Sequence, residues 1–212
     1  MTHFSEDLFQ AVPVIGILRG YHLEQVLKIA EIYQQVGFTN LEITMNTPDV
    51  AKMIQTLTQK YEGQLNIGAG TVCNEKDLAV AVRAGAQFIV SPITDVNLIK
   101  KCVAMQLPIF PGAFTPTEIH QAWSAGARMV KLFPMTLGLD YLKAVVAPLD
   151  NVEIMPTGGV NAKNIHTYIK AGAKAFGMGG ALFDKKRIAA NDWAGITQQL
   201  ENMLSIIQSE KF

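Results

Sequence analysis

A lysine inside an apolar run, Met129-Val130-Lys131-Leu132-Phe133, is the residue of this chain best suited to covalent chemistry. The run has the length and composition of a buried strand, and it stops at Pro134, which has no N–H to give to a ladder. Desolvation disfavours an ammonium, so an amine placed there is drawn toward its neutral form and can attack a carbonyl to make a Schiff base. The same pattern also suits a lysine whose head reaches water along the strand, or a charge that guards a sheet edge. Glu42, in Asn40-Leu41-Glu42-Ile43-Thr44, is a second ionisable residue in an apolar strand pattern, where a carboxylate is rare unless paired or functional. It reads either as a proton carrier or as an ion-pair partner of Arg19 or Lys131. Arg19 follows Val14-Ile15-Gly16-Ile17-Leu18 and has the fork geometry that clamps a carboxylate, although taken alone it reads as an exposed arginine.

Two glycine pairs suggest an anion site. Pro156-Thr157-Gly158-Gly159-Val160-Asn161 has the order strand, turn, helix start, which aims free backbone N–H groups at one small volume, and Gly177-Met178-Gly179-Gly180-Ala181 repeats the feature. Glycine turns on the last two strands of a barrel are a usual seat for a substrate phosphate, and paired glycines also serve plain tight turns. There is no P-loop, no early dinucleotide fingerprint, no H-E-x-x-H and no G-x-S-x-G. His3, His22, His120 and His166 fall away from strand ends without ligand spacing, so neither a metal nor a cofactor is expected.

The elements that must carry these groups are eight strand-like runs, at 14–18, 40–44, 66–69, 88–91, 109–111, 129–133, 153–156 and 175–178. Amphipathic patterns such as 23–35 and 50–61 fill the gaps with helices. Thr115-Pro116-Thr117-Glu118 is a capping box, and Thr47-Pro48-Asp49 is expected to open a helix in the same way. Gly37, Gly85, Gly126 and Gly172 sit where left-handed helix ends belong. Alternating units of this kind build either an open doubly wound sheet or a closed barrel of parallel strands. Polar and glycine-rich groups follow nearly every strand, which favours a single-domain (β/α)8 TIM barrel over residues 1–212.

Composition excludes several partners. Lys+Arg and Asp+Glu both number 18, so there is no basic surface for nucleic acid or an anionic membrane. Residues 1–10 include Glu6 and Asp7 and no uninterrupted apolar run, which reads as neither leader nor anchor. Cys73 and Cys102 read as two unpaired thiols of a cytoplasmic protein.

The motifs Leu41-Glu42-Ile43-Thr44, Ile67-Gly68-Ala69-Gly70-Thr71-Val72, Val90-Ser91-Pro92, Pro111-Gly112, Val130-Lys131-Leu132-Phe133-Pro134 and Pro156-Thr157-Gly158-Gly159-Val160 resemble those of the class I aldolases acting on 2-keto-3-deoxy-6-phosphogluconate and 4-hydroxy-2-oxoglutarate. The resemblance implies a β/α barrel in which Lys131 forms the Schiff base with pyruvate or the keto acid and Glu42 moves protons. It implies that Thr71 helps hold the carboxylate, that Pro92, Phe133 and Thr157 line the substrate, and that Gly158, Gly159, Gly179 and Gly180 hold its phosphate. It implies a homotrimer of carbohydrate metabolism, in an Entner-Doudoroff role. Many members carry an arginine where this chain has Asn46, and those with this change have Ile-Leu-Arg on the first strand, as in Ile17-Leu18-Arg19. The carboxylate role therefore passes to Arg19. Several members have a serine where this chain has Ala181. The galactonate-derived epimer is the alternative substrate, and a sugar-phosphate epimerase or a non-catalytic sugar-phosphate binder on a similar barrel are the competing functions.

Overall fold

The computed structural model describes residues 3–210, so that the first two residues of the N-terminal segment read above lie outside it. Parallel strands alternate with helices. A curled six-stranded sheet has the order β5-β4-β3-β2-β1-β9, formed by β1 (Val14–Leu18), β2 (Asn40–Thr44), β3 (Asn66–Gly70), β4 (Phe88–Val90), β5 (Ile109–Phe110) and β9 (Phe176–Met178). A three-stranded sheet has the order β6-β7-β8, from β6 (Gly112–Ala113), β7 (Val130–Leu132) and β8 (Ile154–Pro156). The expected fifth strand, 109–111, thus stops at Phe110, because the ring nitrogen of Pro111 cannot donate, and β6 follows beyond the expected range. β5 pairs with β4 and β6 with β7. An isolated parallel bridge between Thr157 and Gly177 links β8 to β9.

Side chains alternate between two cores, as the period of a strand requires. One face of the sheets packs outward on the helices, with Leu41, Ile43, Ile67, Val130, Leu132 and Ile154 against residues such as Ile29, Ile54 and Leu142. The other face holds an inner cluster of Phe9, Ile15, Phe88, Val90, Phe110, Met129, Met155 and Ala175, with Phe4 packed on it. Phe9 comes from α1 (Glu6–Ala11), so the N-terminal helix fills the lower end of the inner space. Buried amides fix it there. The Asn66 amide nitrogen donates to Ser5 O and Asn40 Oδ1, the Ser5 N–H donates to Asn66 Oδ1, and Gln87 Nε2 donates to His3 O. Arg128 adds ion pairs to Glu6 and Glu153 across the same end.

The helix ends follow their local chemistry. Thr115 Oγ1 accepts from the Glu118 N–H (3.3 Å) while Glu118 Oε2 accepts from the Thr115 N–H (2.7 Å), a complete capping box with Pro116 in the first turn. Gly37, Gly85, Gly126 and Gly172 all have positive φ. Thr47-Pro48-Asp49 departs from expectation, because α3 begins at Val50 and its cap is Asp49 in the left-handed region. Thr47 is buried and its hydroxyl is engaged elsewhere, accepting from the Gly20 N–H (3.1 Å) and bonding Thr44 Oγ1 (3.1 Å). Tertiary hydrogen bonding has outcompeted the local cap.

Gly68 on β3 faces the inner core, where a Cβ would lie 2.4 Å from the Phe88 ring. The ring is fully buried and packs on the rings of Phe4 and Phe110. Gly68→Ala should therefore destabilise the fold by roughly 1–3 kcal/mol, the range for an overpacked core. Thermal unfolding is the check, and a wild-type Tm would show that the ring yields.

Candidate active site

The inner cluster determines what lies above it. Met129, Met155 and Ala175 belong to that cluster, so Lys131, Thr157 and Gly177, two residues further along the same strands, face the same interior one layer higher. By the same step Asn40 leads to Glu42 and Thr44, and Asn66 leads to Gly68 and Gly70. Ladder pairing sets the heights: Glu42 is opposite Ile17 and Gly68, and Lys131 is opposite Gly112 and Met155.

Lys131 is 5% exposed and β7 is flanked by β6 and β8, so it is neither a head reaching water nor an edge guard. Its Nζ lies 4.8 Å from the centroid of the Phe133 ring. Burial pushes its pKa down and the nearby Arg19 adds to this, opposed by Glu42 and Cys73. Glu42 is 1% exposed, and burial pushes its carboxyl up to about 7 against the pull of Lys131 and Arg19. Among the described residues Glu42 joins no ion pair, and its Oε2 has no hydrogen-bond partner. Its carboxylate lies over Gly70, where a Cβ would come within 2.3 Å of Oε1. A buried polar atom left open in this way is uncommon and invites a partner from outside the chain.

Arg19 lies at the exposed rim and donates from Nη2 to Thr71 Oγ1 (3.3 Å), which brings together two residues 52 positions apart. Thr71 has φ of 59°, a rare conformation for a β-branched residue and one that costs energy the surroundings must supply. The Thr47 bonds described above tie the turn after Arg19 to the end of β2. Pro92 packs against Gly112, its carbonyl so close that a Cβ there would be 2.4 Å away. Thr157 is buried against Gly177, and its hydroxyl makes only a long bond to Met155 O (3.4 Å).

The two glycine turns face one hollow of about 370 Å³ lined by Gly158, Gly159, Val160, Asn161 and the backbone from Gly177 to Ala181. Gly158 and Gly159 both have positive φ, 93° and 75°, and the Asn161 and Asn164 amides donate to Gly159 O and hold the turn. The N–H groups of Gly158, Gly159, Val160, Gly180 and Ala181 donate to no protein acceptor among the described residues. Five free donors around one hollow suit an anion.

The structure places Lys131 near Glu42, Arg19 and Phe133, sets Arg19 on Thr71, and lines one hollow with Gly158, Gly159, Gly179 and Gly180. Gly70 and Gly177 were quoted within motifs without the role seen here, that their absent side chains admit the Glu42 carboxylate and Thr157. Their signal is a glycine one period beyond another inward position. Thr47 was misread as a helix cap, and Cys73, half-buried and close enough to act on Lys131, carried no sequence signal.

A family model described as KDPG and KHG aldolase matches residues 6–199. The 2-dehydro-3-deoxy-6-phosphogalactonate aldolase of Escherichia coli (strain K12) is 33% identical over 174 residues, covering 81% of this chain and 85% of that protein. The 2-dehydro-3-deoxy-phosphogluconate aldolase of Haemophilus influenzae is 32% identical over 200 residues, covering 93% and 92%. The solved structure of KDPG aldolase from Legionella pneumophila, with pyruvate captured at low pH as a covalent carbinolamine intermediate, matches with a TM-score of 0.85 at 30% identity, covering 92% of this chain and 96% of that one.

The Glu42 carboxyl titrates near 7 when folded and near its ordinary 4.5 when unfolded. Between those values the folded chain keeps a proton that the unfolded chain has released. The favourable contribution of this group is thus whole below about 4.5 and is lost as pH rises through about 7. The stability of the wild type relative to Glu42→Gln should fall across that window by a few kcal/mol and level off above it. Chemical denaturation of both proteins over the pH range measures the difference, and a wild type that gained stability relative to Glu42→Gln as pH rose would mean that the fold prefers the ionised carboxylate.

Proposed function

The chain belongs to the KDPG and KHG aldolase family and is an aldehyde-lyase, and from that premise we propose that it cleaves 2-keto-3-deoxy-6-phosphogluconate to pyruvate and glyceraldehyde 3-phosphate through a Schiff base on Lys131. The observation that carries this reading is a buried amine pushed toward its neutral form beside an unpaired buried carboxyl. Neutral Lys131 adds to the C2 carbonyl, and loss of water gives an iminium. The C3–C4 bond then breaks with its electron pair flowing to the iminium nitrogen, while ionised Glu42 takes the C4 hydroxyl proton and the aldehyde leaves. Protonation of the enamine at C3 and hydrolysis release pyruvate. A base titrating near 7 is about half ionised at neutral pH, which suits a group that must both accept and return a proton.

In the same reading Arg19 and Thr71 hold the keto-acid carboxylate, Phe133 supports the cation of the iminium, and Pro92 and Thr157 line the substrate. Gly158, Gly159, Gly179 and Gly180 take the phosphate, with 4-hydroxy-2-oxoglutarate as a second, unphosphorylated substrate. We read the two sheets as one (β/α)8 barrel in which β5 and β6 are a single strand. The Lys131 N–H bond to Pro111 O (2.9 Å), the Lys174 N–H bond to Ile154 O (3.0 Å) and the Thr157–Gly177 bridge support this. A cytoplasmic homotrimer in the Entner-Doudoroff route completes the proposal.

Incubation with pyruvate and borohydride should fix a label that peptide mapping finds on Lys131, and Lys131→Met should take up none while remaining folded. A label on another residue would remove the mechanism.

Epimer preference rests on Thr157, since the galactonate- and gluconate-directed relatives stand at almost the same identity, 33% and 32%. A hydroxyl that reads a substrate hydroxyl rejects a misplaced one by leaving a buried polar group unpaired. Thr157→Val should accordingly narrow the ratio of kcat/KM between the two C4 epimers, mainly by slowing the gluconate-derived one. An unmoved ratio would mean that Thr157 does not read the stereocentre.

A further inference from the structure

A second hollow lies on the other side of the Gly179–Gly180 backbone, lined by Ile17, Arg19, Tyr21, Phe183 and Lys185. Gly179 and Gly180 line both hollows, so this turn is the ridge between them. A Cβ at Gly180 would meet nothing within 4 Å, which leaves the space above the ridge open. Two of the lining residues are cations. The Arg19 guanidinium is directed to Thr71 Oγ1 at 3.3 Å and so toward the carboxylate end of the proposed substrate. Lys185 is exposed and forms no ion pair among the described residues. The adjoining Asp184 forms no ion pair with it, and one of its carboxylate oxygens accepts the N–H groups of Lys186 (2.8 Å) and Arg187 (3.1 Å) as a helix cap.

Backbone N–H groups position a phosphate, but they do not balance its charge. Ala181 offers no hydroxyl to help. Lys163 lines a different hollow beside Asn161, Gln199 and Asn202, and Lys186 lines none of these spaces. Resting on the aldolase reading above, we propose that Lys185 is the cation that compensates the substrate phosphate from the Arg19 side of the Gly179–Gly180 ridge. It thereby determines how strongly the enzyme prefers phosphorylated to unphosphorylated keto acids.

The test compares wild type, Lys185→Ala, Lys185→Arg and the neighbouring control Lys186→Ala. The readouts are the ratio of kcat/KM for 2-keto-3-deoxy-6-phosphogluconate over 4-hydroxy-2-oxoglutarate, and the Kd for inorganic phosphate by calorimetry at low ionic strength. A charged hydrogen bond lost at the rim should cut the ratio and the phosphate affinity about ten-fold in Lys185→Ala. Lys185→Arg should restore most of both, and Lys186→Ala should stay within about two-fold of wild type, because Lys186 lines neither hollow. Equal losses in the two alanine variants would indicate diffuse surface charge and overturn the proposal, as would an unchanged ratio in Lys185→Ala. Pyruvate trapping with borohydride on the same wild-type sample separates the two levels. If no adduct forms, the aldolase reading falls and this proposal with it, whereas an adduct with an unmoved ratio removes Lys185 alone.

Discussion

Lys131 and Glu42 are held in the interior at 5% and 1% exposure with no ion pair joining them, and the rest of the upper half of the molecule is arranged around that condition. Taking either charge out of water is costly, so each is displaced toward its neutral form, the amine down and the carboxyl up. A tight ion pair would have relieved the cost and, in the proposed reaction, removed the chemistry, since an ammonium is no nucleophile and a paired carboxylate is a weaker base. The carboxyl instead keeps one oxygen without a partner. Burying two such groups detracts from stability, and the large apolar cores on both faces of the sheets are what make it tolerable.

Small residues make the room. Gly70 admits the Glu42 carboxylate, Gly177 admits Thr157, and Gly112 lets the Pro92 backbone approach, in each case to distances that no side chain would allow. Glycine in a strand ordinarily weakens it, so three of them in facing strands mark places where space was worth more than local propensity. Thr71 pays in a different way, holding a left-handed backbone as a β-branched residue so that its hydroxyl meets Arg19.

Much of this was legible from the residues alone, for identifiable reasons. Lys131 and Glu42 were conspicuous because charge interrupts an apolar strand pattern, a signal that survives without knowledge of partners. The alternation of strands and helices and the four glycine helix ends were equally plain, since each depends on neighbours close in sequence. What escaped depended on contacts across the chain. Thr47 has the local chemistry of a cap, but Gly20 and Thr44 engage its hydroxyl, and no local pattern contains that information. The interruption at Pro111 was visible as a proline, yet its effect, passing one strand from the larger sheet to the smaller, requires knowing which strands flank it. Gly70 and Gly177 looked like ordinary strand-end glycines until the groups above them were placed.

The filled lower end has a consequence for traffic. Phe4, Phe9, Phe88 and Phe110 crowd together there, and the amides of Asn40, Asn66 and Gln87 fasten the N-terminal segment across it. That end of the inner space is therefore filled, which leaves the side of the glycine turns as its doorway. Under the proposed reaction the two fragments must queue. The aldehyde, carrying the phosphate, stands nearer the doorway and departs first, whereas pyruvate stays tethered behind it until water reaches the imine through the space just vacated. Departure order then follows from depth, with no moving gate required to enforce it.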